Sequence, residues 1–201
     1  MKNLLIAILL LLCAQTYAQR KPKIKGNKNV IEVVQDLPSF TAIELNDDLD
    51  ITLKKSTVEG YSINADDNLI DVLKFRVVDG TLKISSFYKI TRKKKLDIVV
   101  NYVELSGIVM RDGRIRMDDV VEAEQLYVTT FENSKLELNA QSPYVEINME
   151  GNSSGNFNID SDSLNISLKD RIDVSIYSTS NTNTLFMTNN ASAKMDGTTE
   201  L

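Results

Sequence analysis

The sequence predicts an all-β protein, a right-handed parallel β-helix (β-solenoid) with about 20 residues per turn and an N-terminal β-rich cap. Short apolar strands recur at a nearly constant spacing through the second half of the 201-residue chain. Within each strand apolar and polar residues alternate, which is typical of a strand with one buried and one solvated face. No repeat contains a helix-length stretch of helical periodicity, which argues against both βαβ crossovers and leucine-rich repeats.

The repeats form two series of apolar residues, each with a mean step of about 20 residues. The first series is Leu105, Leu126, Val145, Leu164 and Leu185, and the second is Met117, Leu138, Ile159, Ile176 and Met195. We expect about five turns, with apolar side chains along the axis and polar side chains outside. An antiparallel sandwich or jelly roll, which also has short alternating strands at regular intervals, is the alternative.

The first 18 residues have the pattern of a secretory signal peptide. Lys2 precedes an unbroken apolar run, Leu4–Leu12, and Thr16–Ala18 ends the segment before a polar, basic stretch. The run is shorter than the roughly 20 apolar residues that cross a bilayer, so we expect no transmembrane span and export to the periplasm or cell surface. The alternatives are a buried N-terminal strand or helix, and lipid attachment at Cys13, which the large residue before it disfavours.

Composition divides the chain into four segments. We expect a signal peptide over residues 1–18, a basic tether over 19–29, a strand and hairpin cap over 30–94, and solenoid repeats over 95–201, with 30–201 forming one continuous domain. In the cap, Asp79-Gly80 lies between alternating apolar runs. This pattern predicts a tight β-hairpin, because both central residues of such a turn need a positive φ.

Absent residue types exclude several mechanisms. The chain has no His, and its single Cys lies in the predicted signal peptide. The mature chain therefore lacks Ser-His-Asp and Cys-His nucleophiles, an imidazole base and Cys/His zinc sites. Residues 118–201 hold 14 acidic side chains against four basic ones, a balance that disfavours nucleic acid as a partner. We expect a protein that is not an enzyme and uses no cofactor.

Four stretches of the first section resemble the opening of a bacterial family, the auto-transporter adhesins with a head GIN domain. They are Phe40-x-x-Ile43, Asp50–Leu53, Ile63–Leu69 and Val78–Ile84. The resemblance covers about residues 38–200, and it implies an exported β-solenoid without catalytic residues. The family repeats a Gly-Ser-Gly corner, which only Met149–Gly155 approaches here, so the corner geometry is expected to differ.

Two groups of side chains are candidates for a glycan-binding or anion-binding surface. Arg111, Arg114 and Arg116 would attract sugar acids or other anionic polymers, and Tyr127 and Tyr144 would stack on sugar rings. The alternatives are protection of exposed strand edges by the arginines and isolated packing of the tyrosines.

Asp66, Asp67 and Asp71 are oxygen ligands of the kind that calcium prefers. They match neither the EF-hand spacing nor the nonapeptide calcium repeat. A turn or helix start stabilised by Asp and Asn side chains is the alternative interpretation.

We expect an exported, adhesin-like binding or structural module of the cell envelope. Its expected partner is a surface glycan or an envelope protein. If an apolar end of the coil is exposed, we also expect a homo-oligomer. One alternative is a polysaccharide-active β-helix enzyme, which would need Asp or Glu pairs about 5–9.5 Å apart. A second alternative is a sensing or envelope-stress component assembled with a partner. The carboxylates considered for the enzyme are Asp118, Asp119, Glu122 and Glu124, with Asp160 and Asp162 about two turns further on.

Overall fold

A computed structural model describes residues 21–199 of the chain. The predicted signal peptide and Cys13 lie outside the described residues. The strands are β1 (Lys23–Lys25), β2 (Val30–Asp36), β3 (Ala42–Leu45), β4 (Asp50–Lys55), β5 (Gly60–Asp66), β6 (Leu73–Val78), β7 (Thr81–Ser86), β8 (Lys89–Arg92), β9 (Leu96–Tyr102), β10 (Gly107–Met110), β11 (Arg114–Met117), β12 (Val121–Glu122), β13 (Gln125–Thr130), β14 (Lys135–Gln141), β15 (Tyr144–Met149), β16 (Ser154–Leu168), β17 (Asp173–Met187) and β18 (Ser192–Thr199). One short helix, α1 (Asp67–Ile70), lies between β5 and β6, and no described helix is long and apolar enough to cross a membrane.

The strands stack as the two faces of a coil. Sheet 1 runs in the order β2, β5, β9, β4, β11, β14, β16, β17, β18. Sheet 2 runs in the order β6, β7, β3, β10, β13, β15, β16, β17. The long strands β16 and β17 turn the corner, so their first halves belong to sheet 1 and their second halves to sheet 2. The predicted β-solenoid is confirmed, with about five turns of about 19 residues.

The coil begins earlier in the chain than the sequence pattern suggests. Strand β3 pairs in parallel with β7 and β10, and β4 pairs in parallel with β9 and β11. Residues 42–55 therefore form a turn of the coil, although the repeats were expected to begin at position 95. Strands β7 and β9 stack in parallel on the cap side of this turn, and β10 and β11 stack on its other side, so its neighbours come from distant parts of the sequence.

Antiparallel pairing closes the N-terminal end of the coil. Strand β5 pairs antiparallel with β2 and β9, and β6 pairs antiparallel with β7. Asp79 and Gly80 join β6 to β7 with φ of 50° and 72°, which confirms the predicted hairpin. Leu69 of α1 is buried against this end.

The segment expected to be a basic tether is attached to the cap. Strand β1 pairs in parallel with β8. Lys21 forms an ion pair with Asp47, and the side-chain amides of Asn27 and Asn29 donate to the carboxylate of Asp67. This stretch has no apolar periodicity and so contributes little to the core. Its strand pairing and three polar side-chain contacts attach it to the cap instead.

In the later coil, residues that pair between adjacent turns are always 19 positions apart in the sequence. Leu138, Phe157, Ile176 and Met195 occupy one inward position in successive turns of sheet 1. The apolar series placed Ile159 in this position, but Ile159 pairs with Ala140. Residues two positions apart on a strand point to the same side of the sheet. Alternation therefore identifies the inward positions, but it does not distinguish one pairing register from another that is shifted by two residues.

Inward side chains of both sheets fill the axis of the coil. Leu126, Val145 and Leu164 are in register on sheet 2, and each is fully buried. The residues between them along each strand point outward and are mostly polar. The interior is therefore apolar, and the outer faces of the two sheets hold the groups available for binding.

Left-handed backbone recurs at the corner between sheet 2 and sheet 1. Glu132, Gly151, Asp170 and Asn189 have φ of 53°, 83°, 74° and 59°. The backbone N–H of Asn152 donates to the carbonyl of Glu132 over 2.6 Å, so adjacent corners stack directly. Acidic and amide residues thus adopt here the conformation that glycine adopts most readily, in line with the departure from Gly-Ser-Gly corners.

We predict that Gly151→Ala destabilises the protein by about 1–3 kcal/mol, because φ is positive and the new Cβ would lie 2.8 Å from the Glu132 nitrogen. The matched control is Gly80→Ala, which has a similar φ and no atom within 4 Å of the new Cβ. Urea unfolding should give a larger loss for Gly151→Ala. Equal losses would show that close stacking of corners adds nothing.

Candidate functional site

An exposed tyrosine, Tyr127, and a half-buried one, Tyr144, form the most distinctive feature of the outer face of sheet 2. Tyr127 on β13 and Tyr144 on β15 lie in adjacent turns, with ring centroids 5.9 Å apart and planes inclined by 52°. Tyr127 is in register with Glu146 and Tyr144 with Gln125, so the two rings meet diagonally. Tilted rings at this distance form a favourable aromatic pair.

Hydrogen bonds hold the two rings in place. The Tyr127 hydroxyl donates to Oε1 of Gln125 over 2.8 Å, and the Tyr144 hydroxyl donates to Oε2 of Glu146 over 3.0 Å. The amide of Asn148 donates to the other oxygen of Glu146 over 2.8 Å. Both phenol groups are thereby oriented along the sheet, which leaves Tyr127 a well-positioned and exposed ring.

An open groove of about 800 Å³ lies next to Tyr127. Gly107 of β10 is in register with Tyr127 in the preceding turn, and it has no side chain to cover the ring on that side. The groove is lined by the polar side chains of Thr41, Glu104, Ser106, Glu122, Glu124, Gln125 and Gln141. The three glutamates are exposed. An aromatic ring beside carboxylate and amide groups can stack on a sugar ring and accept or donate hydrogen bonds to its hydroxyls.

Acidic groups also shift the pKa values of nearby tyrosines. The hydrogen bond to Glu146 raises the pKa of Tyr144, because the carboxylate stabilises the protonated phenol. Burial raises the pKa of Tyr102 to about 12, and the charges of Asp119 and Glu122 add to the effect. Near the same corner, Lys55 donates its backbone N–H to Asp119 over 2.9 Å and pairs its ammonium group with Glu122.

The three arginines proposed from the sequence are divided between the two sheets. Arg111 follows β10 of sheet 2, where its side chain contacts Glu44 at 3.5 Å and lies 5.3 Å from the Phe131 ring centroid. Arg114 and Arg116 point outward from β11 in sheet 1. Glu44 also pairs with Lys83 at 3.3 Å. Arg111 is thus engaged in a local charge cluster and does not join the other two.

The aspartates proposed for calcium have different surroundings. Asp66 is buried, with one carboxylate oxygen accepting the backbone N–H of Lys94 over 3.0 Å and the other without a protein partner. Asp67 accepts the amides of Asn27 and Asn29, while Asp71 is exposed. Within residues 21–199, no group of three or more His, Cys, Asp or Glu side chains is arranged to hold a metal ion.

The groove beside Tyr127 was not identified from the sequence. Glu104 lies before β10, Glu122 and Glu124 lie on either side of the turn before β13, and Gln141 ends β14. Three successive corner segments therefore meet there. The only sequence feature that indicates the groove is the concentration of acidic residues at the ends of predicted strands.

The chain matches the family model described as "Putative auto-transporter adhesin, head GIN domain" over residues 39–200. No curated protein matches the chain. Among solved structures, a "putative adhesin" from Bacteroides fragilis NCTC 9343 is 16% identical, with 87% of this chain and 100% of that chain covered and a TM-score of 0.55. A "putative lipid binding protein" from Parabacteroides distasonis ATCC 8503 is 15% identical, with 86% and 99% covered and a TM-score of 0.53. At these identities the two structures support the fold.

We predict that Glu146→Gln moves one phenol titration to lower pH, because the neutral amide no longer stabilises the protonated Tyr144 hydroxyl. The chain lacks Trp, so the ultraviolet absorbance of phenolate can be followed directly. Glu137→Gln, an outward-facing substitution on sheet 1, is the control and should leave the titration unchanged. An identical curve for Glu146→Gln and the unsubstituted chain would refute the assigned hydrogen bond.

Proposed function

The chain belongs to the family described as "Putative auto-transporter adhesin, head GIN domain", and from that premise we propose that it is an exported, non-enzymatic binding module of the cell envelope. Its ligand is a glycan of the periplasm or cell surface, held on the outer face of sheet 2 at Tyr127, Tyr144 and the adjoining groove. The observation that supports this most is the exposed Tyr127 ring at the edge of a groove lined with carboxylates and amides.

The chemistry of the groove suits neutral or amine-bearing sugars. Glu104, Glu122 and Glu124 offer hydrogen-bond acceptors to hydroxyl or ammonium groups, and Gln125 and Gln141 offer both donors and acceptors. Three carboxylates would repel a polyanion. A ligand rich in sugar acids would instead need Arg114 and Arg116 on sheet 1, so the two outer faces favour ligands of opposite charge.

Exposure of the carboxylates favours binding over hydrolysis. A glycoside hydrolase needs one carboxylic acid in a desolvated environment, close to a second carboxylate. The glutamates that line the groove are all exposed, and Glu122 is paired with Lys55. The groove thus has the side chains to hold a sugar. None of the carboxyl groups that line it lies in the apolar surroundings that hydrolysis requires.

We predict that Tyr127→Ala weakens glycan binding by about tenfold, which corresponds to about 1.4 kcal/mol for the lost aromatic stacking. A glycan array probed with the chain lacking residues 1–18 would identify ligands, and calorimetry with the best ligand would give the affinities. Tyr144→Ala should have a similar effect, because Tyr144 supports the first ring. The matched control is Tyr177→Ala, an exposed tyrosine on sheet 1, which should bind normally.

Mass spectrometry of the glycans after incubation tests the non-enzymatic part of the proposal. Unchanged masses are expected. Shortened products would instead favour the polysaccharide-active enzyme, and loss of that cleavage in Glu122→Gln or Glu124→Gln would assign the reaction to the groove. Equal binding by Tyr127→Ala, Tyr144→Ala and the unsubstituted chain would contradict the proposed site.

A further inference from the structure

The last turn of the coil exposes side chains that every earlier turn buries. Leu185, Met187 and Met195 face inward, yet they are 38%, 45% and 36% exposed. In the preceding turn, the residues in register with them are Ile166, Leu168 and Ile176, which are 3%, 0% and 2% exposed. The apolar axis of the coil is therefore open at its C-terminal end within the described residues.

The outer edge of β18 is also unpaired in the part of the chain that the structure describes. Strand β18 pairs with β17 on one side only. The second half of β17, Thr182–Met187, is likewise the terminal strand of sheet 2. Unpaired backbone N–H and C=O groups beside exposed apolar side chains are a template for pairing with another strand. The opposite end is covered by α1 and the antiparallel cap strands.

Charges along β18 are self-complementary. Lys194 and Asp196 flank the inward-facing Met195, and both point outward. If two copies of β18 pair antiparallel with Met195 opposite Met195, each Lys194 faces the Asp196 of the other copy. The remaining outward pairs are Ser192 with Thr198, which are compatible in size and polarity. Inward residues meet inward residues in this register, so the apolar face of sheet 1 continues from one copy to the other.

We propose that two copies of this chain associate end to end through their C-terminal turns, by antiparallel pairing of β18 across a two-fold axis at Met195. Such a contact is isologous, which means that the same surface is used by both copies and the assembly closes as a dimer. It buries the exposed Met195 of each copy and forms two Lys–Asp pairs. Cross-strand pairs of opposite charge are favourable in this geometry.

A head-to-tail contact is less well matched. It would place β18 against β2, the edge strand at the other end of sheet 1. The charged residues of β2 are Glu32 and Asp36, so Asp196 would have no basic counterpart on that strand. The charge pattern therefore favours a closed dimer over a growing fibre.

Charge exchange tests both the contact and its register. The chain lacking residues 1–18 should be dimeric by light scattering coupled to size exclusion. Lys194→Asp alone and Asp196→Lys alone should each be monomeric, because like charges then face each other twice across the axis. The double variant Lys194→Asp/Asp196→Lys restores both pairs and should be dimeric. A mixture of the two single variants should also form dimers, since each supplies the charge that the other needs.

Circular dichroism establishes that each variant is folded, and the mixing experiment separates a lost contact from a lost fold. A monomeric unsubstituted chain, single variants that remain dimeric, or a mixture that stays monomeric would each overturn the proposal.

Disulfide formation provides an independent test of register. Met195→Cys should form a covalent dimer on oxidation, whereas Ser192→Cys on the same strand should not, because its counterpart is Thr198. Equal cross-linking of both would exclude the proposed axis. Glycan binding by the monomeric variants should persist at each Tyr127 site.

Discussion

The parallel ladder of backbone hydrogen bonds between successive turns is the constraint on which the rest of the molecule depends. Each turn presents its N–H and C=O groups to the turn before and the turn after, so the turns must match in length and register. Leu138, Phe157, Ile176 and Met195 show the result, a column of inward side chains with one residue from each turn. The ladder also confines unpaired edges to the two ends of the coil.

The two ends meet this constraint differently. At the N-terminal end, antiparallel pairs close the sheets, and Leu69 of α1 is buried beside them. At the C-terminal end the ladder stops at β18 within the described residues. Between the ends, buried apolar side chains fill the axis, and the outer faces hold the polar groups. Binding at Tyr127 and association at Met195 therefore use separate surfaces, so a dimer would present two copies of the same binding face.

Local patterns in the sequence predicted much of the fold, but they did not predict which strands distant in the sequence pair with each other. Alternation and period predicted the coil, and Asp79-Gly80 predicted its hairpin, because both depend on neighbouring residues. The turn formed by residues 42–55 was missed, because β3 pairs with β10 across about 60 residues of inserted chain. Tyr127 and Tyr144 were each singled out from the sequence as candidates for stacking on sugar rings. Their contact was not predicted, since Tyr144 is in register with Gln125 and meets Tyr127 only diagonally.

Hydrogen exchange of backbone amides, read by mass spectrometry on the chain lacking residues 1–18, tests the account most directly, because the ladder determines which amides are protected. The stacked turns predict slow exchange for β13, β15 and β16, which lie between hydrogen-bonded neighbours, at a common rate that reflects one cooperative unit. Rapid exchange throughout residues 107–168, with protection confined to the cap strands, would contradict the continuous coil on which both proposed surfaces depend.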